Sequence, residues 1–208
     1  NINGNLYLYL NLDIPLGPEE VTFDGYVSLE NNSIKSTFPK FNLKDVNGDI
    51  YFSKESLHAN NIDATYSNIP IKLNIPTTEY QDLTVMPFEI SLLANESFIF
   101  DRITTFFPKL EHKIDNLNNY FSGESIWNLA YGKNISGSDS SENVIKLTSN
   151  LTGLTIKLPE PLTKNSDQVK VLELLISFNN SPKYEINMKY DDLIFSDIFI
   201  EDEAVKNI

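Results

Sequence analysis

His58 and His112 are the chain's two imidazoles, and they stand too far apart for the paired spacing of an HExxH-type metal site. His58 falls in strand-like sequence and His112 in helix-like sequence, where each is expected to serve packing or surface rather than catalysis. Cysteine is absent, which removes disulfides, thiolate nucleophiles and Cys-based zinc sites. No Gly-x-Ser-x-Gly elbow, Gly-rich phosphate loop or dinucleotide fingerprint occurs. No metal, nucleotide or covalent cofactor is therefore expected, and the chain does not read as an enzyme.

Carboxylates leave two further chemistries open. A two-acid glycosidase pair converges in space rather than in sequence, and Trp127 with the many tyrosines could add sugar stacking. Asp191-Asp192, Asp197 and Glu201-Asp202-Glu203 could gather calcium, but they lack the spacing and glycine of an EF-hand loop, so a solvated face is expected. The Asn-x-Ser/Thr triplets at Asn95 and Asn134 carry little information in so asparagine-rich a chain. A formal charge of -13 repels phosphates, so nucleic acid is not an expected partner.

The elements that would position any site are strands. In the run from Leu6 to Ile14, Leu6, Leu8, Leu10, Leu12 and Ile14 alternate with Tyr7, Tyr9, Asn11 and Asp13, the pattern of a half-buried strand. The same period of two returns from Val21 to Leu29 and in Ile69-Pro70-Ile71-Lys72-Leu73-Asn74-Ile75. Asn31-Asn32, Asn47-Gly48 and Asn60-Asn61 lie between such runs and read as hairpin turns. Later strands are expected at Ile126 to Tyr131, Val144 to Leu151, Leu154 to Leu158, Val169 to Phe178, Tyr184 to Tyr190 and Leu193 to Ile200. The polar stretch from Ser136 to Asn143 reads as an unpacked loop.

One segment switches to helical spacing. From Ile103 the apolar residues fall at Phe106, Phe107, Leu110, Ile114, Leu117 and Phe121, and Pro108 should divide a short turn from a main helix of about Lys109 to Tyr120. Leu110, Ile114, Leu117 and Phe121 are expected to lie against the sheet. About a dozen strands at ~4.8 Å would make a sheet about 60 Å wide, which must curl, fold into layers or stack. No apolar run reaches the ~18 residues of a membrane-spanning helix. The opening Asn1-Ile2-Asn3-Gly4-Asn5 has no leader pattern and reads as an internal piece or a mature start.

Two stretches resemble a known family. Val27-Ser28-Leu29, Leu43, Val46-Asn47-Gly48-Asp49-Ile50-Tyr51-Phe52, Leu57, Ile62-Asp63-Ala64 and Ile69 to Ile75 are similar to the repeating strand unit of the YhdP branch of AsmA-like proteins. Gly123-Glu124-Ser125-Ile126-Trp127 and the run from Ser149 to Lys164 resemble its "Gly-Glu-x-x-Trp" and "Ser-Asn-Leu-x-Gly-Leu … Leu-Pro-x-Pro-Leu-x-Lys" signatures. Asn68 stands where the unit has glycine before its proline, a residue that also accepts left-handed geometry.

The resemblance implies an internal fragment of an inner-membrane-anchored protein of the Gram-negative periplasm, whose curved sheet holds phospholipid acyl chains in a groove between the two membranes. The expected fold is all-β, a long twisted and curled antiparallel sheet with an open apolar groove and one amphipathic helical insertion. Residues 1–95 would form a first β-sheet repeat region, 96–122 the helical insertion, and 123–208 a second region continuous with the first. Groove candidates are Leu8, Leu10, Leu12, Ile71, Leu73, Ile75, Leu147, Leu154, Ile156, Leu158, Leu174, Ile176 and Phe178. The expected partners are a phospholipid or other acyl lipid and further repeats of the same full-length chain. Two rivals use the same alternation: a structural or partner-binding β-sandwich segment of an envelope protein, and a carbohydrate-binding β domain.

Overall fold

Alternating sequence becomes strand almost throughout. The computed structural model describes residues 2–37, 40–79, 87–106, 118–134, 142–178, 184–192, 194–201 and 204–206. Among these the elements are β1 (Ile2–Asp13), β2 (Thr22–Thr37), β3 (Lys40–Ser53), β4 (Ser56–Tyr66), β5 (Ile69–Glu79), β6 (Phe88–Asn95), α1 (Glu96–Phe106), β7 (Phe121–Asn134), β8 (Glu142–Ser149), β9 (Leu154–Ile156), β10 (Leu172–Phe178), β11 (Tyr184–Tyr190), β12 (Ile194–Glu201) and β13 (Ala204–Lys206). The chain divides into two compact units, Asn1–Ser91 and Leu92–Ile208, and β6 runs across the division.

In the first unit β1 to β5 form an antiparallel meander in chain order. β2 is 16 residues long against a usual ~5–6, and strands of that length need a device that keeps one face apolar while they twist. That device is a row of β-bulges. The register shifts between Leu29 and Asn32 on β2, between Lys44 and Asn47 on β3, and between Ala59 and Ile62 on β4. Asn31, Asp45 and Asn61 take positive φ at these places.

Each extra residue changes which parity faces inward. β2 presents Val27 and Leu29 before its bulge and Asn32 and Ile34 after it, and β4 presents Leu57 and Ala59, then Ile62 and Ala64. Without the bulge every later side chain would turn to the opposite face. The asparagines expected to make hairpin turns are thus inside strands, and the amides of Asn32 and Asn47, together with that of Asn74, bond backbone groups at the bulges. Asn47 Oδ1 accepts the Asn31 N–H at 2.9 Å, Asn74 Oδ1 accepts the Asn61 N–H at 2.8 Å, and Asn32 Nδ2 donates to the Asn5 carbonyl at 2.7 Å.

In the second unit the sheet order is β7-β8-β10-β11-β12-β13, with the short β9 on the opening residues of β7. α1 starts at Glu96, ahead of the expected Ile103, because Asn95 caps it: its Oδ1 accepts the Phe98 N–H at 2.9 Å, and Glu96 adds negative charge to the first turn. Its described residues run to Phe106. Phe100 meets Phe121 edge-on at 5.2 Å. Residues 107–117, with Leu110, Ile114 and Leu117 of the expected main helix, lie outside the described residues, as do 135–141 of the expected loop. Asn118–Tyr120 forms a single 3-10 turn, and Phe121 opens β7.

Candidate functional site

Cross-strand register assembles apolar rows from the alternating residues. In the first unit Leu8, Val27, Ile50, Ala59 and Ile75 stand opposite one another in turn from β1 to β5. Exposure falls along this row, from 66% at Leu8 through half-buried Val27 and Ile50 to 0% at Ala59 and 7% at Ile75. Ile71 and Leu73 are buried beside Ile75, opposed by Ala64 and Ile62. Leu10 and Leu12 are also exposed, though less than Leu8 is, so β1 is exposed along its whole length rather than half-buried. Among the described strands it pairs with β2 alone, and an edge strand with one neighbour has half the cover of an inner one.

The other face of these strands is polar and aromatic. Tyr9, Tyr26, Tyr51 and His58 share one cross-strand row, with centroids 5.3, 5.8 and 5.3 Å apart. His58 stacks on Tyr51 at an interplanar angle of 14°, a packing role for the imidazole. His112 lies outside the described residues.

The second unit repeats the arrangement. Leu129, Leu147, Leu174 and Met188 form one row, and Tyr131, Ile145, Ile176 and Ile186 the next. Leu147, Leu174 and Ile176 are half-buried, while Phe178 is buried and stacks on Tyr131 at 6.5 Å. Burial raises the Tyr131 phenol above its usual pKa. The opposite face carries the Lys146–Glu173 ion pair at 2.8 Å.

Leu154, Ile156 and Leu158 do not belong to these rows. Leu154 and Ile156 are buried on β9 against Phe121 to Gly123, and the strand ends there, leaving Leu158 half-buried in the following loop. The signature residues around them make a clasp. The Ser125 and Ser149 hydroxyls lie 3.0 Å apart, and Ser149 also bonds the Ile126 carbonyl and the Leu151 N–H. Gly123 (φ 111) and Gly153 (φ 92) bring two backbones into contact: a Cβ on Gly153 would strike the Glu124 carbonyl. Gly153→Ala should cost about 3 kcal/mol or more, since strain at positive φ and overpacking add; denaturant unfolding measures it.

Sequence reasoning quoted Lys164 only as the last residue of a signature and did not foresee its burial. It is 1% exposed, and its Nζ donates to the carbonyls of Leu154 at 2.7 Å and Asn165 at 2.8 Å. Burial lowers its pKa, against the opposing pull of Asp167 and with help from Lys170. Lys164→Met leaves two carbonyls short of a donor and should destabilise by about 1–3 kcal/mol. Because the folded pKa is the lower one, this group's contribution to stability falls as pH drops through the unfolded lysine value, and rises in alkali. Loss of that alkaline rise in Lys164→Met, read from unfolding at several pH values, checks the sign. Lys170 completes the clasp, donating to Pro161 and Thr163 carbonyls and lying over the Tyr190 ring at 5.3 Å.

Trp127 is 4% exposed and offers no open ring face for a sugar. Among the described residues no three His, Asp or Glu side chains gather as a metal site would, and no helix is long and apolar enough to cross a membrane. What the described residues present is strands with apolar rows on one face and polar rows on the other.

A family model described as "YhdP protein" matches residues 1–208, and the chain belongs to that family. The curated relative "Intermembrane phospholipid transporter YhdP" of Escherichia coli (strain K12) is 24% identical over 178 residues, which cover 86% of this chain and 13% of the relative. The chain thus spans about an eighth of that protein's length. No solved structure matches the chain.

Proposed function

We propose that the chain is a segment of a lipid-transfer conduit in which the apolar rows line a groove that shelters phospholipid acyl chains. The full-length protein would be anchored in the inner membrane and cross the periplasm, with residues 1–95 and 123–208 as successive sheet regions of the conduit and 96–122 as a helical insertion between them. The observation that carries the reading is the register itself: apolar residues oppose apolar residues across four or five successive strands in each unit. Such a surface asks for no reactive group. Each methylene it keeps from water contributes about 0.8 kcal/mol, so an acyl chain can slide from row to row while a break of several residues would stop it. The half-buried rows through Val27 and Ile50 and through Leu147, Leu174 and Ile176 are the places where a chain can still make contact.

The relative's name supports phospholipid as the cargo. Mass spectrometry of organic extracts from the purified chain is expected to show co-purified phospholipid in near-stoichiometric amount. Extracts free of acyl lipid, with the chain folded, would leave the apolar faces as structural cores. Burial of Ile71, Leu73 and Ile75 favours that second reading for the β4–β5 part of the sheet alone.

A further inference from the structure

We propose that Asn47-Gly48 is a deamidation site, closed while β3 is paired and reactive when β3 separates, whose product keeps the bulge row from re-forming. This does not depend on the conduit reading. An asparagine followed by glycine is prone to the reaction because no Cβ hinders the glycine nitrogen. The Gly48 nitrogen attacks Asn47 Cγ, the new C–N bond closes a succinimide ring, and Nδ2 leaves as ammonia. Water then opens the ring at either carbonyl, giving aspartate or isoaspartate.

The fold holds the first step off. Asn47 Oδ1 accepts the Asn31 N–H at 2.9 Å and Nδ2 donates to the Asp45 carbonyl at 2.7 Å, so the amide is drawn back toward residue 45 rather than forward onto the Gly48 nitrogen. Gly48 itself stands opposite Leu29 in the β2–β3 ladder. The same geometry explains why so labile a pair stands here. Gly48 has φ 144 and a Cβ on it would meet Ile62 at 3.1 Å, while the Asn47 amide ties β3 to β2 at the bulge.

The product does not fit the place it came from. Aspartate turns the donor facing the Asp45 carbonyl into an acceptor, and it adds a carboxylate opposite Asp63 on a strand that already carries Asp45 and Asp49. Lys72, the cation on the next strand, is already paired with Asp63. Isoaspartate lengthens the backbone by a methylene inside β3, which then cannot keep its register with both β2 and β4. Opening is thus followed by a covalent change that the closed sheet rejects.

Asn3-Gly4, on the exposed edge strand β1, supplies a comparison within the chain. The 208-residue chain would be held at one mildly alkaline pH in buffer and in urea, with deamidation at each site followed by peptide mass spectrometry. In urea the two sites are expected to react at similar rates. In buffer Asn47 should slow by about tenfold or more and Asn3 by far less, because an edge strand frays more readily than β3, which is paired on both sides. Chains modified at Asn47 in urea and returned to buffer should melt more than about 4 °C below the parent, as should Asn47→Asp, whereas Asn3→Asp should stay within about 2 °C of it. Asn47 reacting as fast in buffer as in urea overturns the proposal, and so do Asn47-modified chains that regain the parental melt. If Asn47→Asp does not fold, the rates in the parent chain still decide.

Discussion

Leu73→Arg is expected to unfold the first unit cooperatively, with a midpoint more than 10 °C below that of the parent chain. Leu73 is 9% exposed, faces Ile62 at 1%, and lies between Ile71 at 3% and Ile75 at 7%. A guanidinium placed there is walled by aliphatic groups on its own strand and the next, and an uncompensated buried charge costs about 3–5 kcal/mol. For a unit of this size each kcal/mol lowers the midpoint by about 4–8 °C. Leu8→Arg supplies the contrast. Leu8 shares the apolar face yet is 66% exposed on an edge strand, so the same substitution should change stability by about 0.5 kcal/mol or less. Circular dichroism melts of the two variants test the pair directly. If Leu73→Arg melts within a few degrees of the parent, the arginine head has reached water, and the β4–β5 face is open enough to hold cargo rather than being a closed core.

The strands were legible because their period is written in the residues. β11 falls on the expected Tyr184 to Tyr190, while β8, β10 and β12 shift by one to three residues at their ends. β6 carried the same signal in Phe88, Ile90, Leu92 and Ala94, weakened by Leu93 on the other face, and was not recognised. The bulges were misread for a physical reason. An asparagine at positive φ suits a two-residue hairpin and a bulge equally, and at Asn31 and Asn61 the chain continues in the same strand. Parity was the available clue: Val27 and Leu29 are followed by Ile34, an odd-to-even switch that an uninterrupted strand cannot make without turning its face.

Burial was harder to read than strand. Alternation says which residues share a face and nothing about what covers it, so Leu8, Leu10 and Leu12 looked equivalent to Ile71, Leu73 and Ile75 although an edge and an interior strand differ in neighbours. Leu154 and Ile156 matched the same pattern but belong to the clasp, whose geometry depends on Gly123, Gly153 and Lys164 meeting across more than 40 residues of sequence. A lysine gives no sign of burial by its type, because lysine is almost always exposed.

Replacing Leu174 or Ile176 by arginine is expected to strip bound phospholipid from the chain while leaving it folded. Both side chains are half-buried on β10, a strand paired on each side, and they stand in the two rows that run from β7 to β11. A charge facing acyl chains costs about 2–4 kcal/mol by analogy with lipid-facing positions of membrane barrels, which is a loss of roughly 30- to 1000-fold in lipid retention. Half-burial is what separates this outcome from that at Leu73. The arginine stem can lie along the row while its head lifts to water, so the apolar surface is interrupted without an unpaired charge being sealed inside. Glu173→Gln provides the control on the polar face: it removes the exposed ion pair with Lys146 and should alter neither lipid content nor melting by more than about 1 kcal/mol. Lipid mass spectrometry and thermal melts would be run on the same preparations. Arginine variants that melt normally and keep their full phospholipid complement would show that acyl chains do not travel over these rows, and the apolar register would then stand as core packing alone.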